Sequence, residues 1–164
     1  MTSDPEGRDR DQAGRPRNTR PRDAAGRPLP RGAAGEPPVP DDLALAPEQA
    51  LEMAQGLLGS GHPFQAHEVL EASWKSAPQA DRDLWQGLAQ LAVGLTHAQR
   101  GNARGAVALL RRGAGRLRGY LGASPHGVDV CALVATTGEL ADRIERDGLG
   151  DVTAADLQPR LRGR

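Results

Sequence analysis

The chain has 164 residues, with 21 Lys or Arg, 21 Asp or Glu and one cysteine. A net charge of zero argues against a strongly nucleic-acid-binding protein, and a single cysteine excludes an internal disulfide and fits a reducing compartment. Because the sequence has no apolar run of about 18 residues and no apolar core of a secretory signal at its start, it predicts a cytoplasmic protein without a membrane span.

Residues 1–40 are rich in Pro and Arg and contain only eight apolar residues, six of which are Ala or Met. A stretch with so few large apolar side chains buries too little surface to offset the entropy of ordering its backbone. The sequence therefore predicts a disordered tail over 1–40, an all-helical domain over 41–150, and a C-terminal tail with little regular structure over 151–164.

Helical periodicity begins near residue 46, and Pro and Gly residues mark where successive helices begin and end. The first predicted helix begins at about residue 46, with Pro47 in its first turn, and ends before Gly59 and Gly61. The other four run from Pro63 to about Ser76, from about Ala80 to Arg100, from about Ala103 to Leu121, and from near Asp129 to Gly148. Asp129 is the predicted N-cap of the fifth helix. No alternating strand pattern occurs, so the predicted fold class is all-α, a single compact bundle of about five helices.

The third predicted helix carries no charged residue between Leu84 and Gln99. A helix of this length without charge is usually buried on more than one side. One narrow arc of its helical wheel holds four leucines, and the opposite face holds three polar residues, Gln86, Gln90 and His97. The pattern predicts a central helix with a polar stripe.

The second predicted helix places His67 at the centre of an arc that also holds Phe64, Leu70, Glu71 and Trp74. Polar groups within an apolar stripe are costly unless their hydrogen bonds are satisfied. The nearest candidate partners are Gln86, Gln90 and His97. Two hypotheses follow directly: a structural network that includes the indole N–H of Trp74, or a pocket for a ligand or partner.

A third hypothesis is a metal centre that uses His67, Glu71 and His97. His67 and Glu71 have the i, i+4 spacing of metal ligands on one helical face, but Glu71 stands where a zincin motif has its second His. No Cys–His spacing supports such a site, so no metal and no cofactor are predicted. Metal-dependent hydrolysis, with Glu68 or Glu71 as general base, stays open as an alternative, and so does the question of enzymatic activity.

The fourth predicted helix carries five arginines and no acid: Arg104, Arg111, Arg112, Arg116 and Arg118. It lacks the interleaved aromatic residues typical of nucleic-acid surfaces. We therefore expect a solvated face that pairs with the acidic first and fifth helices. Weak nucleic-acid binding through this helix is a second alternative, although nucleic acid is not the expected partner.

Several short motifs, in this order and spacing, make residues 60–135 resemble a bacterial family known as domain-of-unknown-function family 309. They are His67-Glu68-Val69-Leu70-Glu71 with Trp74, Trp85-Gln86-Gly87-Leu88-Ala89-Gln90-Leu91-Ala92, His97, Gly101-Asn102 and Gly127-Val128-Asp129-Val130. The resemblance implies a compact helical bundle in which the His–Glu helix packs on the Gln-rich helix. It implies no activity, because the family has no assigned function.

The sequence thus predicts an uncharacterised, non-enzymatic helical module that binds a protein or a small molecule. Its candidate polar site comprises seven residues: His67, Glu68, Glu71, Trp74, Gln86, Gln90 and His97. No membrane association is expected.

Overall fold

The computed structural model describes residues 20–40 and 42–163. Its α-helices are α1 (Pro47–Gly59), α2 (Pro63–Ser76), α3 (Arg82–Gln99), α4 (Ala103–Leu117) and α5 (Val130–Asp147). Short 3-10 turns cover Gln79–Asp81, Arg118–Tyr120, Pro125–Gly127 and Ala155–Leu157. Across the described ranges only two isolated β-bridges occur and no strand forms, which confirms the predicted all-α class.

Each helix packs on the next helix along the chain, and α3 lies between α2 and α4. The four leucines that the helical wheel groups on α3 are all buried: Leu84, Leu88, Leu91 and Leu95. The buried residues of α3 extend well beyond this arc and include Trp85, Ala92 and Thr96. The part of α3 without charged residues, from Leu84 to Gln99, is therefore buried on several sides, as its composition predicts. No helix in the described part of the chain is long and apolar enough to span a bilayer.

Glycines allow α3 and α4 to approach closely. A Cβ atom at Gly113 of α4 would lie 2.8 Å from the carbonyl oxygen of Gly87 on α3. A Cβ atom at Gly94 would lie 2.9 Å from Cγ of Leu110. Glycine lowers helix propensity by about 1 kcal/mol per residue relative to alanine, so the helicity of α4 depends on this packing.

Side chains cap two of the helices. Asn102 accepts a hydrogen bond from the backbone N–H of Gly105 at the start of α4 (2.9 Å), and Asp129 accepts one from Ala132 at the start of α5 (3.1 Å). The predicted N-cap is thereby confirmed. The fourth helix ends earlier than predicted, because its last turn tightens into a 3-10 turn in which the Tyr120 hydroxyl donates to the carbonyl oxygen of Ala80 (2.7 Å).

The C-terminal residues return across α1. The Gln55 side chain donates to the carbonyl oxygen of Pro159 (3.1 Å) and accepts from the N–H of Leu161 (2.7 Å). The carbonyl oxygen of Leu161 accepts from the N–H of Asp129 (3.0 Å), and the Leu161 side chain is buried. This segment therefore joins the first helix to the start of the fifth, although its regular structure is limited to one 3-10 turn.

The predicted tail of residues 1–40 lies partly outside the described residues, since residues 1–19 are not among them. Residues 20–40, the N-terminal segment, contain no helix and run against α2 and the end of α3. An isolated bridge between Arg22 and Pro28 closes a turn within the segment.

Candidate functional site

Helix α2 buries a face that differs from the predicted one. Its buried residues are Pro63, Gln65, Ala66, Val69 and Leu70. The side chains of His67 and Glu71 keep 22% and 38% of their surface exposed, so they lie at the edge of the interface. The expectation that His67 occupies the middle of a buried stripe is wrong, because the wheel was centred on large side chains whereas the small Ala66 packs inward.

The His67 imidazole has one polar neighbour. Its Nε2 lies 3.5 Å from Oε2 of Glu71, whose other oxygen lies 4.0 Å from Nζ of Lys75. Its Nδ1 is buried and has no hydrogen bond of normal geometry, and its ring lies 5.8 Å from that of Phe64. Burial lowers the pKa of His67; the nearby Glu71 carboxylate opposes this effect and Lys75 adds to it. The imidazole is therefore neutral at neutral pH.

The predicted polar network between α2 and α3 does not form among the described residues. Gln90 accepts a hydrogen bond from Nε of Arg116 (3.1 Å) on α4. Nδ1 of His97 lies 3.1 Å from the side-chain nitrogen of Asn102, the N-cap of α4, and burial lowers the pKa of His97, with Arg100 adding to the effect. Two residues of the polar stripe on α3 thus contact α4 instead of His67.

The remaining predicted site residues are Glu68 and Trp74 on α2 and Gln86 on α3. In the part of the chain that the structure describes, the Trp74 indole N–H has no acceptor and the side chain of Gln86 makes no hydrogen bond. Trp74 is partly buried against the core. Glu68 lines a cavity beside the N-terminal segment. Of the seven residues, only His67 and Glu71 form a direct polar pair.

No metal site is assembled by these residues. Within residues 20–40 and 42–163, no three His, Cys, Asp or Glu side chains lie close enough together to hold a metal ion. His67 and Glu71 are a pair without a third ligand, because the contacts of His97 are with α4. The metal-dependent hydrolase hypothesis therefore has no geometric support in the described residues.

Sequence reasoning missed a second group of residues, at the start of α2 and the end of α3. Gln65 donates a hydrogen bond to the carbonyl oxygen of Pro37, and Nε of Arg100 donates to the carbonyl oxygen of Ala25 (2.6 Å). The Phe64 ring lies near two guanidinium groups, 5.2 Å from that of Arg22 and 5.7 Å from that of Arg100. We call Phe64, Gln65 and Arg100 the docking surface.

One signal for this surface was present in the sequence. Gln65 lies four residues before Val69, on the buried side of α2, where a polar side chain needs a partner. No periodicity identifies that partner, because it lies 28 residues away in a segment without a helix.

A third cluster surrounds His126, in the loop before α5. Its Nε2 lies 2.9 Å from Asp81 and its Nδ1 3.8 Å from Glu48, and its ring lies 5.9 Å from that of Trp85. His126 has a φ angle of 55°, which is uncommon for a residue other than glycine. These contacts join the loop before α5 to α1 and to the start of α3.

The arginines of α4 form ion pairs in part as expected. Arg111 contacts Asp142 (2.9 Å) and Glu145 of α5, as predicted. Arg116 contacts Asp83 of α3 (2.8 Å), whereas the sequence had suggested an acidic partner on the first helix. The α4 face is thus partly neutralised by its neighbours.

Comparison with known proteins gives a family without an assigned activity. "Uncharacterized protein YpuF" of Bacillus subtilis (strain 168) is 46% identical over 48 residues, which are 29% of this chain and 28% of that protein. The chain thus matches less than a third of this relative's length. No solved structure matches significantly. The family described as "Domain of unknown function (DUF309)" matches residues 51–109, from α1 into α4, and this match confirms the resemblance that the sequence motifs indicate.

Proposed function

We propose that this chain is a non-enzymatic protein-interaction module and that α2 is its peptide-binding helix. One observation carries the proposal: α2 and the end of α3 hold a non-helical segment of polypeptide by its backbone. Gln65 and Arg100 each donate to a main-chain carbonyl of the N-terminal segment. That segment lies outside the span that matches the family, residues 51–109.

The rest of α2 provides groups suited to the same role. His67, Glu71 and Trp74 follow the docking surface along the helix, and each is only partly buried. A tryptophan with an unpaired indole N–H, next to polar groups, is typical of the residues that dominate protein interfaces. The same groups contribute little to folding through polar contacts, since His67 and Glu71 pair only at 3.5 Å.

Site-specific photocrosslinking in the cells that produce this protein would test the proposal. A photoreactive phenylalanine analogue replaces Glu71 in the full chain, and a matched variant carries it at Glu139, an exposed acidic residue on α5. We expect a discrete crosslinked product from position 71 that is absent from position 139 and is lost when Trp74→Ser is added. The proposal fails if position 71 gives no product, or gives the same products as position 139.

A further inference from the structure

We propose that the docking surface recognises a proline-rich peptide that also carries an arginine and a glycine in a turn, and that residues 20–40 of this chain occupy the surface in competition with such a partner. The inference rests on the proposed function and specifies the chemistry of the partner. It uses three observations: the backbone contacts, the environment of Phe64, and the loose seating of the N-terminal segment.

The backbone contacts favour a proline-rich ligand. Gln65 donates to Pro37, within the run Glu36-Pro37-Pro38-Val39-Pro40. Proline has no N–H to donate, but it keeps its carbonyl as an acceptor and loses little entropy when an extended segment binds. Donors and aromatic rings that face the carbonyls of such a segment are a recurrent mode of peptide recognition. A carboxylate oxygen of Glu36 also lies 3.2 Å from Nε2 of His62, just before α2.

The environment of Phe64 requires a glycine and favours an arginine in the ligand. Gly26 has a φ angle of 73°, and a Cβ atom there would lie 2.3 Å from Cγ of Phe64. The Arg22 guanidinium lies 5.2 Å from the Phe64 ring centroid and donates to the carbonyl oxygen of Gly26 (2.6 Å). A guanidinium at this distance from an aromatic ring gains a cation–π attraction. The ligand motif is therefore Arg-x-x-x-Gly followed by prolines.

The N-terminal segment is seated more loosely than a part of the core. Of residues 20–40, only Ala25 and Gly26 are buried. An open cleft of about 960 Å³ lies beside this contact, lined mainly by the segment itself and on α2 by Phe64, Gln65 and Glu68. Because most of the segment stays accessible to solvent, its contact with α2 opens more easily than a buried core interface does. Such a segment can exchange with a partner that fills the space better.

The experiment displaces the segment without altering the docking surface. In the full chain, Gly26→Ala introduces a Cβ atom that collides with Phe64, while α2 and α3 are unchanged. The matched control is Gly32→Ala, which has a similar φ angle of 84° but nothing within 4 Å. The probe is a fluorescein-labelled peptide with the sequence of residues 20–40, and its binding is followed by fluorescence anisotropy.

We expect the peptide to bind the Gly26→Ala chain about tenfold or more tightly than the wild type or the Gly32→Ala chain, because a tethered competitor acts at a millimolar effective concentration. Adding Phe64→Ala to the Gly26→Ala chain should abolish binding. A peptide that itself carries Gly26→Ala should bind the Gly26→Ala chain more weakly than the peptide with Gly26 does, since its new Cβ atom meets the Phe64 ring.

Three results would overturn the inference: no binding to the Gly26→Ala chain, equal affinity for both glycine variants, or unchanged binding after Phe64→Ala. If the peptide fails to bind while position 71 still gives its specific crosslink, the partner chemistry is wrong and the interaction module stands. If that crosslink is absent as well, both proposals fail.

Discussion

Replacing Gly113 of α4 by alanine tests whether the contact between α3 and α4 depends on the absence of a side chain. The new Cβ atom would lie 2.8 Å from the carbonyl oxygen of Gly87 and 2.9 Å from Cδ2 of Leu91. The first neighbour is backbone and cannot rotate away, so the helices must separate. Overpacking of this kind costs about 1–3 kcal/mol.

Gly115 provides an internal control on the same helix. It is exposed, and a Cβ atom there would meet nothing within 4 Å. Alanine at either position gains up to about 1 kcal/mol of helix propensity. This gain is common to both variants, so the difference between their free energies of unfolding isolates the collision and is expected to be about 1–3 kcal/mol, with Gly113→Ala the less stable variant.

Urea denaturation of the full chain, followed by the far-ultraviolet circular dichroism of its helices, measures both variants under the same conditions. Gly115→Ala should unfold at a higher urea concentration than the wild type, and Gly113→Ala at a lower one, with similar slopes. If both variants are stabilised equally, the close approach of α3 and α4 is not a constraint, and the account of why α4 tolerates its glycines is wrong.

Three further predictions concern titration and strain. Hydrogen bonds from Arg143, with help from Thr153, lower the pKa of Asp156 to about 2. The wild type should therefore be more stable than Asp156→Asn above about pH 4, and thermal melts should show this advantage disappearing as the pH falls towards 2. Burial lowers the pKa of His67 below its ordinary value of 6.5, so the midpoint of its NMR titration should lie below 6.5. The contribution of the neutral His67 to stability should decline as the pH falls below 6.5, and a midpoint at or above 6.5 would contradict the burial. His126 has a φ angle of 55°, so His126→Gly should be about 1 kcal/mol more stable than His126→Ala in chemical denaturation. Both variants lose the imidazole, so equal stabilities would argue against backbone strain at this residue.

Much of the fold could be predicted because its signals are local. Pro47 and Pro63 occupy the first turns of their helices, and Asp129 caps α5 as expected. The absence of charge between Leu84 and Gln99 also indicated the central position of α3. The helix ends that were missed, at Ala80 and beyond Leu117, are 3-10 turns joined by the hydroxyl of Tyr120, a contact across 40 residues that no local pattern contains.

The site was harder to predict because its contacts are distant in sequence. Gln65 and Pro37 are 28 residues apart, and Arg100 and Ala25 are 75 apart. The helical wheel also misplaced His67, since it gave no weight to the small Ala66, which faces the bundle. The functional role of the seven predicted residues stays a prediction, although the structure places the His67–Glu71 pair on α2 and gives Gln90 and His97 partners on α4 and its N-cap.

Substitutions on α2 and on the polar stripe of α3 should have different effects. Gln90 and His97 have partners on α4, so replacing them should alter the packing of α3 and α4. The partly exposed side chains of α2 make few polar contacts within the bundle, so replacing them should alter binding more than folding. If Glu71→Gln loses partner binding at constant stability while Gln90→Ala loses stability, then α2 carries the interaction and the contact of α3 with α4 carries the architecture.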